Sequence, residues 1–443
     1  MKLNKFTSAL LALGALSLAG VAHANTVIYV TGSTAARSAF FNAATTSGQI
    51  FTGAGTVIST GANNTGSGAN TIVYEGNIAG VGTVDLNCSW TGSEAGIAAV
   101  AGQVVQQNVN SGTYNLPGVP PKFLNPANWT VANATPVLLS AISGAPANPD
   151  ITTADTSQAV SLTPTALFPL VDYGIIGVVP FTVLKGYDSA PSSSWTNLKN
   201  VTTAQLNQNL AGPLVANIYT GQSADLDNVV ICGRNKGSGT RVNTLLTFQY
   251  GLGTPVDQWA YDVTYPVANP GVLTFGKHYS YPQTMTEVFN DGFDSGSGVQ
   301  GNLNVDGKSS LSSVVMLGYA GMGDAQNAVN VLKAGVSTQL ATILPFNGVY
   351  ESDNGVINGS YAFWGSVHLL GSVGQSSTSA AGKTATAIKT GILANLAAQP
   401  VSSLDCSTIA GALDQHVLLP KSLMQVTRSG GDVGFPAQGT TGW

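Results

Sequence analysis

The stretch Gly233-Arg234-Asn235-Lys236-Gly237-Ser238-Gly239-Thr240-Arg241 lies between an apolar run, Asn228 to Cys232, and a helical pattern, Val242 to Phe248. A strand that passes through a Gly-Ser-Gly-Thr turn into a helix leaves several unpaired backbone N–H groups aimed at one point. Ser238 and Thr240 add hydroxyl donors, and Arg234 adds a planar fork that matches an oxyanion. The chain of 443 residues holds four arginines, Arg37, Arg234, Arg241 and Arg428, and two of them fall here. That concentration points to an anion site.

The same pattern recurs upstream. Val27-Ile28-Tyr29-Val30 is a continuous apolar run of the kind buried in a parallel sheet. It leads through Thr31-Gly32-Ser33-Thr34 into a helical stretch from Ala35 to Ala44. A strand over Thr71–Gly76 precedes another over Thr83–Cys88, which runs through Gly92-Ser93-Glu94 into a helical pattern from Ala95 to Val105. Asp150 to Ser157 ends in a capping-type turn that carries Asp155. Gly174–Val183, rich in β-branched residues, predicts a strand crossing between two parts of the molecule. Thr202 or Thr203 caps a helix from Ala204 to about Leu210. Further on, Val314–Ala320 reads as a strand, Ala325–Leu332 as a helix, Val349-Tyr350 and Tyr361–Trp364 as returning strands, and Lys383–Ala398 as the last helix. Residues 98–150 read as an insertion and 291–310 as a loop. Helices that follow strands across turns define an α/β chain.

Composition narrows the setting. Residues 1–24 carry Lys2 and Lys5, an apolar stretch from Ala9 to Leu16, and Ala22-His23-Ala24 before Asn25, the layout of a secretory signal. No Cys follows the cleavage site, so the expected product is soluble, unlipidated and periplasmic or secreted, without membrane insertion. Losing Lys2 and Lys5 takes the net charge from −5 to −7. Nucleic acids and anionic membranes select basic faces, so neither is an expected partner. Charged residues make up only 8% of the chain, which leaves Gly, Ser, Thr and Asn to cover the surface. Cys88, Cys232 and Cys406 are an odd number, open to one disulfide with a spare thiol or to three buried apolar thiols.

Catalytic readings find little support. After signal cleavage the histidines are His278, His368 and His416, and none stands in a catalytic setting. Ser295-Gly296-Ser297-Gly298 lacks the spacing of a nucleophile elbow and falls in the expected loop. Asp291, Asp294 and Asp306 do not meet the EF-hand pattern. Asp306-Gly307-Lys308-Ser309 ends like a phosphate loop, but Asn302 stands where that motif needs glycine. The expectation is therefore a non-enzymatic protein with no metal and no cofactor.

In order along the chain, these motifs resemble the periplasmic phosphate-binding proteins of ABC importers. Arg234 to Thr240 is similar to their Arg-x-x-Gly-Ser-Gly-Thr signature, and Thr31–Thr34 to their first strand–helix turn. Gly92–Ile97, Thr153-Ala154-Asp155, Leu317-Gly318-Tyr319 and Gly359-Ser360-Tyr361 are similar to later segments of the family. The resemblance implies an α/β two-lobed fold, each lobe a mixed sheet flanked by helices, with a ligand cleft between them. The first lobe would comprise residues 25–175 plus 345–443, and the second 176–344. It further implies Ser33, Thr34, Ser93 and Asp155 on one side of an oxyanion, and Arg234, Ser238, Gly239 and Thr240 on the other. Inorganic phosphate is the implied ligand, an ABC permease the implied partner and a monomer the implied state. Asp155 would accept a hydrogen bond from a protonated ligand and repel a fully deprotonated one.

Two departures bear on that ligand. Lys236 stands where the family often has an acid, and Glu94 where it has glycine. Glu94 is expected to point to solvent, since an exposed first helical turn favours an acid. The low charge and the long insertion also fit a different class, a secreted surface or matrix protein that keeps this fold without transport.

Overall fold

The computed structural model describes residues 25–61, 66–102, 120–129, 134–163, 165–260, 292–305, 314–330 and 341–428, together with the backbone of 277–279 and 436–438. The signal segment, residues 103–119 and 130–133 of the insertion, Asp291, the 306–313 stretch and Leu332 lie outside the described residues, as does the His278 side chain.

Eleven strands form one mixed sheet. In chain order the main elements are β1 (Thr26–Gly32), α1 (Arg37–Thr45), β2 (Thr56–Thr60), β3 (Thr71–Ile78), β4 (Gly82–Ser89), α2 (Ser93–Val100), β5 (Ile151–Ala154) and β6 (Val171–Lys185). They continue with α3 (Thr203–Leu210), β7 (Leu214–Val215), β8 (Asn228–Cys232), α4 (Gly239–Thr247), α5 (Gly296–Leu303), β9 (Val314–Gly321) and α6 (Met322–Val329). The last are β10 (Thr342–Leu344), α7 (Asp353–Asn358), β11 (Trp364–Gly371), α8 (Ala380–Ala397) and α9 (Ile409–Asp414). The strand order is β2-β3-β4-β1-β5-β11-β6-β9-β8-β7, with β10 also on β6. Among the described residues no helix is long and apolar enough to cross a membrane.

The crossing strand predicted over Gly174–Val183 is the core of β6, which runs for 15 residues and serves both halves of the sheet. Val171–Pro180 pairs with β11, while Phe181–Lys185 pairs with β9. The change of partner falls at Pro180, whose ring nitrogen has no proton to give to a ladder. Behind this junction Phe181, Phe248, Phe346, Tyr361 and Phe363 pack with ring centroids 5.1–6.4 Å apart. The Tyr361 hydroxyl donates to the Phe181 carbonyl at 2.8 Å, so the buried phenol is satisfied.

On one side of the junction β4, β1 and β5 run parallel, with Thr31 opposite Ser89 and Gly32 opposite Thr153. On the other side β8 and β9 run parallel, ending at Cys232 opposite Gly318. In α8 the buried Ala381, Ala385, Ile388, Ile392 and Leu396 recur every three to four residues, which lays one apolar stripe on the sheet. Three expectations change. The segment 295–298 is not loop: Ser295 caps α5 by accepting from the Gly298 N–H at 3.2 Å. Val349 forms only an isolated bridge to Phe346, and the returning strand starts at Trp364 rather than Tyr361. All three cysteines are free and buried.

A buried network ties α7 to the C-terminal segment. The Cys406 thiol donates to Glu351 Oε2 at 2.9 Å, and Asp353 Oδ2 lies 2.5 Å from His416 Nδ1. Glu351 is fully buried and its Oε1 has no partner. Burial, helped by Asp353 and Asp405, pushes its carboxyl from 4.5 up to about 8. The folded state thus holds this proton more tightly than the unfolded chain. The resulting stabilisation is complete below about pH 4.5 and is lost as pH rises through about 8, up to about 5 kcal/mol in all. Melting curves are therefore expected to show the wild type losing several degrees between pH 6 and pH 9. Glu351→Gln, which has no carboxyl to titrate at this position, should lose much less over the same range.

Candidate functional site

Because β4, β1 and β5 are parallel neighbours, their C-terminal ends deliver three turns to one place, where α/β sheets present ligand sites. Gly32 closes β1 at φ +118, and a Cβ there would lie 2.0 Å from the Thr153 carbonyl, so only glycine fits. The Ser33 amide then donates to the Thr153 carbonyl at 2.8 Å. The Ser33 hydroxyl donates to Asp155 Oδ1 and accepts from the Ala35 amide at 3.1 Å. From the β4 turn, Ser93 Oγ accepts the Asp155 amide at 3.0 Å. Ser33, Ser93 and Asp155 are all nearly inaccessible to solvent. Thr34 is part-exposed, and among the described contacts none joins it to this trio.

The other half supplies the stretch after β8. Ser238 caps α4, its hydroxyl accepting the Arg241 amide at 3.3 Å. Arg234 is buried, with Nε donating to the Phe293 carbonyl at 3.2 Å and Nη2 to the Asp294 carbonyl at 2.9 Å. Its own carbonyl accepts from Arg241 Nη1 at 3.0 Å, and its amide donates to the Tyr319 hydroxyl at 3.2 Å. These bonds hold the guanidinium in a fixed plane. Gly239 and Thr240 form the first turn of α4, both buried, whereas Lys236 is part-exposed.

The two sets of turns meet. The amides of Glu94 and Ala95 at the start of α2 donate to the Gly237 carbonyl at 3.1 and 3.3 Å. Asn243 Nδ2 on α4 donates to the Asp155 carbonyl at 2.8 Å. A Cβ on Gly239 would lie 2.5 Å from Ser93 Oγ and 3.0 Å from Asp155 Cβ. Ser33, Ser93, Asp155 and Gly239 are thus in one cluster, with Arg234 electrostatically coupled to Asp155.

Burial pushes the Asp155 carboxyl up, against the opposing pull of Ser33, Arg234 and Ser93. Burial likewise pulls Arg234 down, while Asp324, Asp155, Tyr319 and Asp294 oppose it. Glu94 corrects the sequence expectation. It is fully buried, because the 156–162 segment covers it and provides donors from Thr156 Oγ1 at 2.9 Å, Ser161 Oγ at 2.7 Å and the Leu162 amide at 2.8 Å.

Sequence reasoning also missed Arg37, Asp324 and Asn243. Arg37 opens α1 directly after the Ser33 turn and couples to Asp324 and Arg234 on the other half. Asp324 sits in the first turn of α6, couples back to both arginines, and lies where a Cβ on Gly296 would strike it. Arg37 carried a usable signal, since it is one of only four arginines and stands beside a candidate turn. Asp324 and Asn243 carried none, since nothing around them in the chain marks them.

No family model matches the chain, and no curated protein matches it in sequence. Among solved structures it is similar to a candidate phosphate ABC transporter substrate-binding protein with bound phosphate from Clostridium perfringens, at 12% identity and TM-score 0.42, covering 84% of this chain and 97% of that one. It is also similar to a phosphate binding protein from Stenotrophomonas maltophilia, at 10% identity and TM-score 0.37, covering 89% and 90% respectively. A third is an ABC-type phosphate transport receptor from Vibrio cholerae, at 11% identity and TM-score 0.33, covering 79% and 88%.

Proposed function

We propose that this chain is an exported solute-binding protein that captures a tetrahedral oxyanion, inorganic phosphate first, for an ABC importer and without catalytic turnover. The observation that carries the reading is the meeting of Ser33, Ser93 and Asp155 with the start of α4 and the buried Arg234. Each group has a chemical task. The α4 amides and the hydroxyls of Ser93, Ser238 and Thr240 donate, Arg234 contributes charge, and Asp155 accepts from a protonated ligand oxygen. Thr34 joins from the rim. The two lobes, 25–175 with 345–443 and 176–344, approach each other when a ligand touches both sets of turns.

A thermal-shift panel of phosphate, arsenate, sulfate and molybdate on the protein lacking residues 1–24 tests this. A ligand at a thousand times its Kd adds about 4 kcal/mol of stability, so phosphate should raise Tm by several degrees. Sulfate should raise it far less, because Asp155 has no ligand proton to accept. A panel in which no oxyanion moves Tm contradicts the reading.

A further inference from the structure

Glu94 is a buried acid at this site to which the oxyanion reading gives no role. Its carboxylate is fully buried, and no cation is among the groups that shift its titration, while Asp155 lies near enough to disfavour its charge. A buried carboxylate in such company is costly unless donors surround it. Among the described residues its three side-chain donors come from one short segment, Thr156, Ser161 and Leu162, and that segment begins directly after Asp155. The neighbouring Ser93 takes the Asp155 amide itself. Two consecutive residues at the start of α2 therefore grip both ends of the 155–162 segment. The α2 N-terminus adds a field that favours the acid.

We propose that Glu94 is a positioning residue: by holding Thr156, Ser161 and Leu162 it fixes the Asp155 carboxylate at the ligand and so sets the preference for a protonated oxyanion over sulfate. This deepens the oxyanion reading and rests on it. Glu94 touches no ligand atom in this scheme. Its hydrogen bonds act through Asp155, and its charge is secondary. Glutamine can keep the same bonds, its carbonyl accepting from Ser161 and Leu162 and its amide donating to a rotated Thr156 hydroxyl. Alanine keeps none.

The test compares Glu94→Ala, Glu94→Gln and Ser161→Ala in the protein lacking residues 1–24. Phosphate and sulfate affinities are measured by calorimetry, and amide exchange across 155–162 by mass spectrometry. Glu94→Ala should weaken phosphate binding by about tenfold or more, lower the phosphate-to-sulfate ratio and speed exchange across the segment. Glu94→Gln should stay within about threefold of wild type in all three readouts. Ser161→Ala, at a part-exposed position, should move each readout in the direction of Glu94→Ala by a smaller factor. Wild-type affinity, ratio and exchange in Glu94→Ala overturn the proposal, as does a Glu94→Gln protein as impaired as Glu94→Ala. If Glu94→Ala does not fold, Ser161→Ala with unchanged ratio and exchange overturns it. Failure of the wild type to bind any oxyanion instead removes the site reading and the selectivity claim together. Faster exchange in Glu94→Ala but not in Glu94→Gln would still establish the grip on the segment.

Discussion

Arg234→Ala is expected to lower phosphate affinity by at least a hundredfold, about 2.7 kcal/mol, and to lower Tm as well. The side chain is buried between two carbonyls and beside three acids, Asp155, Asp294 and Asp324. Its loss removes one donor from each of the Phe293 and Asp294 carbonyls and leaves Asp155 and Asp324 with less opposing charge. Removing one partner from a buried charge network costs about 3–5 kcal/mol. The stability loss alone would not identify a binding residue. Calorimetry on the folded variant, below its Tm, separates the two effects. Arg234→Lys should fall between, since an ammonium restores charge but not the two fixed N–H directions toward Phe293 and Asp294. Binding by Arg234→Ala at wild-type affinity would remove this arginine from the site.

Gly239→Val should be nearly as damaging, for a different reason. Gly239 is the first residue of α4, where an ordinary side chain costs the backbone nothing. The obstruction comes wholly from the other half, since a Cβ would lie 2.5 Å from Ser93 Oγ, 2.7 Å from Ser93 Cβ and 3.0 Å from Asp155 Cβ. To relieve it, the start of α4 must withdraw from the Ser93 turn and carry its amides with it. A displacement on the order of 1 Å at a preorganised site costs about a hundredfold. Titration calorimetry should show that loss, while far-UV circular dichroism stays that of the wild type. Gly53→Ala, where a Cβ meets nothing within 4 Å, is the matched control and should bind normally. If Gly239→Val binds phosphate as the wild type does, the meeting of the two turns is not part of the site.

Much of this arrangement was legible in the chain. Apolar runs ending in Gly/Ser/Thr turns announced β1 and β8, because strands buried on both faces need unbroken apolar sequence and their ends need turn residues. The β-branched run around Val178 and Val179 announced the crossing strand. What stayed hidden depended on neighbours remote in sequence. Glu94 had the local character of a solvent-facing first-turn acid, and only the fold of 156–162 over it reverses that reading. Ser295 to Gly298 appeared as loop because glycine disfavours helix. A serine cap and the packing of Phe293 and Asp324 against Gly298 and Gly296 override that propensity. Asp324 joins the site through α6, whose sequence holds no mark of it.

The most direct measurement is a calorimetric titration of phosphate into the wild-type protein lacking residues 1–24, stripped of bound anions by partial unfolding and refolding. The wild type should give a saturable isotherm with one phosphate per chain, and Arg234→Ala should give no such heat. An absent isotherm in the folded wild type, or one that Arg234→Ala leaves unchanged, would contradict the oxyanion reading.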